Sequence, residues 1–283
     1  MQKSYSQLVL RIYLVLMIGF LLLPLIITGG AAFNDSKFPS VWPWRGFTDR
    51  WFIDLWNDGR FWVALSNTGI IAFAVMVIAV PIGTAAAIIL NNMQGRSKSF
   101  FYALMTAPIL TPGAVIGIST LIFWRTFEVP AGLGITALGQ VSVIAAYVML
   151  LVLARLQSFD RGLEEAALDL GASHLQVFGA ILLPHLRPAI VLGAVIAFLQ
   201  STEGYNVPLF TRGGHETVMI YIASQARTGV TPMINAVALL IIVVTVVAGV
   251  AYEVLRRREA RVRDKLEHLA HNAAQNEEVS LAT

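Results

Sequence analysis

The sequence predicts an all-α membrane protein with six transmembrane helices, and two observations carry that expectation. Of the 283 residues, 57% are hydrophobic and 13% charged, with a mean hydropathy of +0.70. That is too little charge to coat a soluble globule. The apolar residues also gather into six stretches, about 10–31, 61–90, 100–124, 134–155, 186–207 and 232–254. Each is near the roughly 20 residues that cross the hydrocarbon core of a bilayer.

Taken in order, the first stretch ends in Gly29-Gly30-Ala31-Ala32, a small-residue run that resembles a signal-peptide cleavage site. Its apolar core exceeds the roughly 7–15 residues of such a signal, so a retained helix is expected. The loop from about 32 to 60 holds Trp42, Trp44, Trp51 and Trp56 among Pro39 and Pro43. Amphipathic rings favour the membrane interface, so a belt accounts for most of them, with contact to a substrate-delivering protein as the functional reading. The third stretch is broken by Pro108 and Pro112, and irregular backbone survives in a membrane only where protein buries it or it lines a wet cavity. Thr106, Thr111 and Gly113 beside those prolines are therefore pore-lining candidates, with packing and kinking as the competing account. After the sixth stretch, a basic cluster from Arg256 to Lys265 reads as a juxtamembrane anchor on anionic lipid, not as a nucleic-acid site. The membrane domain is expected over 1–265, with residues 266–283 a disordered polar tail.

Thirteen of the 20 Lys and Arg residues fall on one side if the N-terminus is cytoplasmic, among them Lys3, Arg96, Lys98, Arg155, Arg161 and the Arg256 to Lys265 cluster. The excess of basic residues places that side, and both termini, in the cytoplasm. The same orientation puts a polar insert at about 157–185 inside.

The insert reads as two short helices with a bend. Gly171 suits the position just past a helix C-terminus, where positive φ is needed, and Ser173 with Gln176 forms a capping box that starts the second helix. Leu175, Phe178, Ile181 and Leu182 recur at helical spacing as one apolar face, and Pro184 closes the segment.

Bond chemistry has no visible apparatus. There is no HExxH, phosphate-binding loop, nucleotide fingerprint or nucleophile–base arrangement, so the chain is not expected to be an enzyme or to bind ATP itself. With no cysteine, and His174, His185 and His215 scattered without ligand spacing, neither a disulfide nor a metal site is expected. Those histidines read as solvated or capping groups.

The informative ionisable group is Glu203. It lies about 17 residues beyond Leu186, roughly 25 Å along a helix axis, near the outer end of the fifth stretch. With Thr202, Tyr205 and Asn206 it offers a carboxylate, an aromatic face and hydrogen-bonding groups, which together would hold a cationic amine. Trp124 and Glu128, at the outer end of the third stretch, are further candidates for that vestibule. The alternative is an interfacial acid in water or paired with Arg125.

The spacing Glu165-Ala166-Ala167, three residues, Gly171, nine residues, Ile181-Leu182-Leu183-Pro184 resembles the EAA loop of permease subunits in binding-protein-dependent ABC importers. The wider chain is similar to the second inner-membrane permease of spermidine/putrescine-type transporters, through Phe33 to Phe38, Gly46 to Trp51, Pro108 to Ile118, Leu163 to Ser173, Gly229 to Pro232 and Asn235-Ala236. The resemblance implies a type I ABC importer permease fold in a bacterial inner membrane. It implies a second permease subunit as heterodimer partner, two ATPase subunits that bind ATP and Mg, and an extracytoplasmic solute-binding protein, with no cofactor in this chain. Glu165, Ala166, Ala167, Gly171, Ser173, Phe178 and Pro184 would then couple the permease to the ATPases. Where polyamine permeases carry two adjacent acids near the end of the fifth span, this chain has Thr202 and Glu203, so the implied solute is a small nitrogenous one that is polyamine-like, amino-acid-like or betaine-like. The competing class is a secondary transporter driven by an ion gradient. It predicts acids or histidines near the bilayer midplane and inverted repeats, whereas these stretches are nearly free of charge.

Overall fold

A computed structural model describes residues 2–228, 231–247, 249, 250 and 254. The basic cluster at 256–265, the tail at 266–283 and the Gly229-Val230 pair lie outside the described residues. The chain divides into two units, 1–57 with 229–283, and 58–228.

In the first unit, α1 (Gln2–Ala32) is apolar and exposed over 7–27, as a lipid-facing helix should be. The loop after it is organised by Asn34, which is wholly buried. Its Nδ2 donates to the carbonyls of Ser40 (2.8 Å) and Pro43 (3.1 Å), and its Oδ1 accepts from the Arg45 amide at 2.8 Å. Trp51, the second residue of α2 (Arg50–Asn57), donates its indole N–H to the Asn34 carbonyl at 2.9 Å and is buried. Trp51 is therefore a loop staple, while Trp42, Trp44 and Trp56 are exposed. An apolar helix α12 (Met233–Val247) completes this unit, with Leu239 packed beside Gly29 of α1.

The second unit is built on three long helices. Asp58 caps α3 (Gly59–Asn92) by accepting from the Arg60 amide at 2.8 Å. Between α3 and α6 (Leu133–Leu156) come α4 (Gly95–Leu110) and α5 (Gly113–Arg125). Then follow α7 (Arg161–Asp169), α8 (His174–Val177), a π-helical turn (Phe178–Leu182), α9 (Leu183–Thr202), α10 (Asn206–Thr211) and α11 (Val218–Thr228). Val75, Ala79 and Leu90 of α3, Val148, Met149 and Val152 of α6, and Leu186, Ala189 and Ala197 of α9 form one buried core. Small residues let these helices touch, because lipid tails give apolar side chains no reason to leave them and close van der Waals packing must hold the bundle. A Cβ on Gly83 would stand 2.6 Å from the Ala145 carbonyl oxygen, and one on Gly193 would stand 3.3 Å from Val148. Gly83, in the last third of α3, meets Ala145 midway along α6, and Arg161, just past α6, reaches Asn91 at the end of α3. Those two helices therefore run in parallel. Gln140 meets Ser201, Val148 meets Gly193 and Arg155 meets His185, so α9 runs against α6. The parallel pair requires the segment α4–α5 to return the chain.

Among the described residues, four helices are long and apolar enough to cross a membrane, Gln7–Ala32, Gly59–Asn92, Leu133–Leu156 and His174–Thr202. The expected third span is a broken pair, α4 and α5, bent by 103° at Thr111-Pro112. Pro112 supplies no N–H and disfavours helical backbone at Thr111, so the turn cannot continue. The expected sixth span is described over Met233–Val247, a shorter apolar helix. The fifth differs from 186–207 at both ends: its helix already begins in the insert at His174 and stops at Thr202. What allows the early start is the π turn, in which the Leu183 amide reaches back to the Phe178 carbonyl. That wider turn accommodates the Pro184 ring, which would clash with the carbonyl four residues back in regular α-helix.

Candidate translocation site and coupling insert

At one end of the bundle, α7 starts on Asp160, whose carboxylate accepts from the Gly162 amide at 2.9 Å. Glu165 and Ala166 are exposed on α7, with Ala167 half-buried. The helix closes in a Schellman motif, with Gly171 N–H on the Leu168 carbonyl (2.9 Å) and Ala172 N–H on the Ala167 carbonyl (3.0 Å). Gly171 has φ of +87° and open space around its missing Cβ, so backbone conformation, not crowding, is what favours glycine there. Both arms of the capping box are made: the Gln176 amide donates to Ser173 Oγ at 3.4 Å and the Ser173 amide to Gln176 Oε1 at 2.8 Å. The expected bend is present. The apolar face differs from expectation, because Val177 is the buried anchor while Leu175 is 81% exposed. Leu163 and Leu170 are likewise exposed, at 55% and 89%, and Phe178 stands partly open in the π turn that leads to Pro184. Arg161 donates to the Asn91 carbonyl (3.2 Å) and Arg155 to the His185 carbonyl (3.1 Å), which ties the insert's ends to the bundle. The His185 ring lies 5.1 Å from Phe159.

At the other end, α9 stops at Thr202 and α10 starts at Asn206, leaving Glu203, Gly204 and Tyr205 as a break. Glu203 and Asn206 are exposed and Tyr205 is half-buried. Helix α10 lies in a slot walled by glycines: Cβ atoms on Gly113, Gly117 and Gly139 would stand 3.1 Å from Asn206 Cβ, 3.2 Å from Val207 Cα and 2.8 Å from Val207 Cγ1. The breaks of the third and fifth stretches thus meet, with Gly113 following Pro112 on one side and Asn206 on the other.

Not every expected residue joins this junction. The Thr202 hydroxyl donates to its own helix, at 2.7 Å from the Leu199 carbonyl. Trp124 packs edge-on against Phe123 at the opposite end of α5 from Gly113. Glu128, at φ of +60°, occupies the left-handed position of a second Schellman motif, in which Val129 N–H reaches the Trp124 carbonyl at 3.1 Å. Thr106 and Thr111 return their hydroxyls to the Tyr102 and Ala107 carbonyls, at 2.8 and 2.9 Å.

Two residues reach the junction that sequence reasoning misses. Gln140 of α6 is buried and accepts from the Ser201 hydroxyl; a lone amide within the 134–155 stretch was the available signal. Arg227 of α11 donates to the Tyr205 hydroxyl at 3.3 Å. Helix α11 is itself pinned to the start of α3. The buried Tyr221 hydroxyl donates to Asp58 at 2.6 Å, Arg60 pairs with Glu216 at 2.9 Å, and the Val218 amide donates to Thr68 Oγ1 at 2.9 Å. Burial, then the bond to Asp58, pushes the Tyr221 hydroxyl pKa from 10.0 up to about 12.

Among the described residues no group of three His, Cys, Asp or Glu side chains is placed to hold a metal ion.

The α3–α6–α9 core thus carries a junction of two helix breaks at one end and a bent polar insert at the other. Residues 79–261 match the model of the binding-protein-dependent transport system inner membrane component family, and the chain belongs to that family. It is a permease subunit of an ABC importer. The putrescine transport system permease protein PotI of Escherichia coli K12 is 34% identical over 262 residues, covering 88% of this chain and 92% of that protein. The spermidine/putrescine transport system permease protein PotC of the same strain is 29% identical over 244 residues, covering 86% and 92%. In fold, the chain is similar to a chain of a bacterial ABC transporter that imports the acidic polysaccharide alginate, with a TM-score of 0.66 at 16% identity over 89% of this chain and 97% of that one. An amino acid ABC transporter with histidines gives a TM-score of 0.56 at 18% identity, covering 74% and 98%. Family membership overturns the competing expectation of a secondary transporter.

Proposed function

We propose that this subunit forms part of the path for a small cationic amine, polyamine-like in character, delivered by an extracytoplasmic binding protein. The observation that carries this reading is the exposed Glu203 in a backbone break, beside Tyr205 and next to the second break at Gly113. A carboxylate within reach of an aromatic ring stabilises an ammonium group by charge pairing and cation–π attraction. The relatives named for putrescine and spermidine support the same solute class. With one acid here, a second carboxylate for a diamine would come from the partner permease.

Six crossings, both termini cytoplasmic, a membrane domain over 1–265 and a polar tail complete this reading. The insert acts as the EAA coupling loop, with Glu165, Ala166, Ala167, Gly171, Ser173, Phe178 and Pro184 making or shaping the contact with two ATPase subunits. Those partners bind ATP and Mg; this chain performs no hydrolysis. The exposed Leu163, Leu170 and Leu175 support it, since apolar side chains on a polar lobe are stabilised by a partner's cover.

An amino-acid-like zwitterion is the second reading, favoured by the Arg227 guanidinium at Tyr205, which offers a partner for a carboxylate. Uptake into proteoliposomes by the assembled importer decides between them. Glu203→Gln is expected to raise KM for putrescine about tenfold, the loss of one well-placed charge interaction, with assembly unchanged. An unaltered KM would remove Glu203 from the path, and competition by amino acids but not diamines would favour the zwitterion.

A further inference from the structure

Helix α6 carries a polar ladder that spans the break in the fifth helix. Gly132, Thr136 and Gln140 are spaced by four and share one face. The Gly132 amide donates to the Thr211 carbonyl at 2.8 Å, and Thr136 Oγ1 accepts from Thr211 Oγ1 at 3.0 Å. Gln140 Oε1 accepts from Ser201 Oγ. Two rungs therefore hold the chain after the break and one holds it before. Thr136, Gln140, Ser201 and Thr211 are all at least 95% buried, where each polar group is costly unless bonded.

The Gln140 rung differs from the others. Its Nε2 finds no partner among the described residues. That nitrogen stands 2.7 Å from where a Cβ on Gly204 would be, with the Ser201 carbonyl oxygen at 3.2 Å. The amide thus fills the place of a side chain at 204, and Gly204 follows Glu203 directly. The bland account is that Gln140 merely ties α6 to α9.

We propose instead that Gln140 is a positioning residue for solute recognition: by bonding Ser201 and packing against Gly204, it sets the direction in which Glu203 leaves the break. The proposal rests on the reading that Glu203 meets the solute, and its test separates the two.

The assembled importer in proteoliposomes is assayed for putrescine uptake and for ATPase subunits retained on purification. Gln140→Leu, similar in volume but unable to bond Ser201, is expected to raise KM about fivefold, the scale of a coupled hydrogen bond. Its kcat and retained ATPase should stay within about twofold of the parent, since Gln140 is buried in the bundle and on this proposal acts only through Glu203. Gly204→Ala, which pushes on the same contact from the other side, should raise KM similarly. In the double variant Gln140→Leu/Glu203→Gln, KM should equal that of Glu203→Gln alone, because there is no longer a charge to position.

Multiplying KM effects in the double variant would overturn the proposal while leaving Glu203 in place. A loss of kcat and assembly with KM unchanged in both Gln140→Leu and Gly204→Ala would show the purely structural role. If Gln140→Leu fails to assemble, Gly204→Ala with and without Glu203→Gln runs the same cycle. A parental KM for Glu203→Gln itself sinks both readings.

Discussion

The two ends of the fifth helix are held in opposite ways. Where it begins, the chain passes from α8 through a π turn into α9, and the segment shows large apolar side chains to its surroundings: Leu163, Leu170 and Leu175 are exposed, with Val177 as the buried anchor. Where it ends, the break after Thr202 is braced by this chain itself, through glycines that admit α10 and the polar rungs on α6, with Glu203 left exposed. The comparison teaches where the missing contacts lie. Exposed apolar side chains on a polar lobe mark a surface that a partner would cover, whereas the polar rungs at the other end are bonded within the fold through Thr136, Thr211 and the Gln140–Ser201 pair.

The sharpest way to break this contrast is at Gly171. A β-branched residue at φ of +87° costs about 1–3 kcal/mol of strain. Gly171→Val is therefore expected to unseat the bend and cut the ATPase retained on purification about tenfold or more. Gly171→Asn should keep most of it, because asparagine tolerates the left-handed region and no neighbour lies within 4 Å of a Cβ there. Equal retention by the two variants would mean that the bend is not what the partner grips.

A smaller effect is expected at the neighbouring cap. Ser173→Ala removes one arm of the capping box, worth about 1 kcal/mol to the local helix. Faster amide exchange over 174–177, with solute KM unaltered, would confirm that the insert end is independent of the break. A change in KM would show the two ends to be coupled.

An effect of similar size belongs to the support of the break end. Tyr221→Phe deletes the bond to Asp58 and should lower stability by about 1 kcal/mol in thermal unfolding of the purified complex. The sign with pH follows from a folded-state pKa that is raised. The bond's contribution is complete below about pH 10, the ordinary tyrosine value, and is lost as pH rises through about 12. A destabilisation by Tyr221→Phe that stayed constant across that interval would detach the bond from the tyrosine's titration.

Local backbone features were the most legible in the sequence. Gly171, Ser173 with Gln176, and the prolines at 108 and 112 each act through their own or adjacent peptide groups, so their spacing alone sets a bend, a cap or a break. The junction of the two breaks was only half legible. Glu203, Tyr205 and Asn206 stand out as polar residues at the end of an apolar stretch. Gln140 and Arg227, distant in sequence, join them only by folding. Trp124 and Glu128 lie at the end of α5 opposite Gly113, a separation set by the 103° bend at Thr111-Pro112.

By itself, then, the order of residues determined that this is a helical membrane chain with a bent polar insert, because bilayer solvation and peptide geometry act on neighbours along the chain. Which helix lies beside which was decided by tertiary packing. The close approach of Gly83 to Ala145, the slot for α10 and the rungs across the break depend on side chains tens of residues apart meeting within a few ångströms. Contacts of that kind follow from shape complementarity between helices, which no periodicity within one helix encodes.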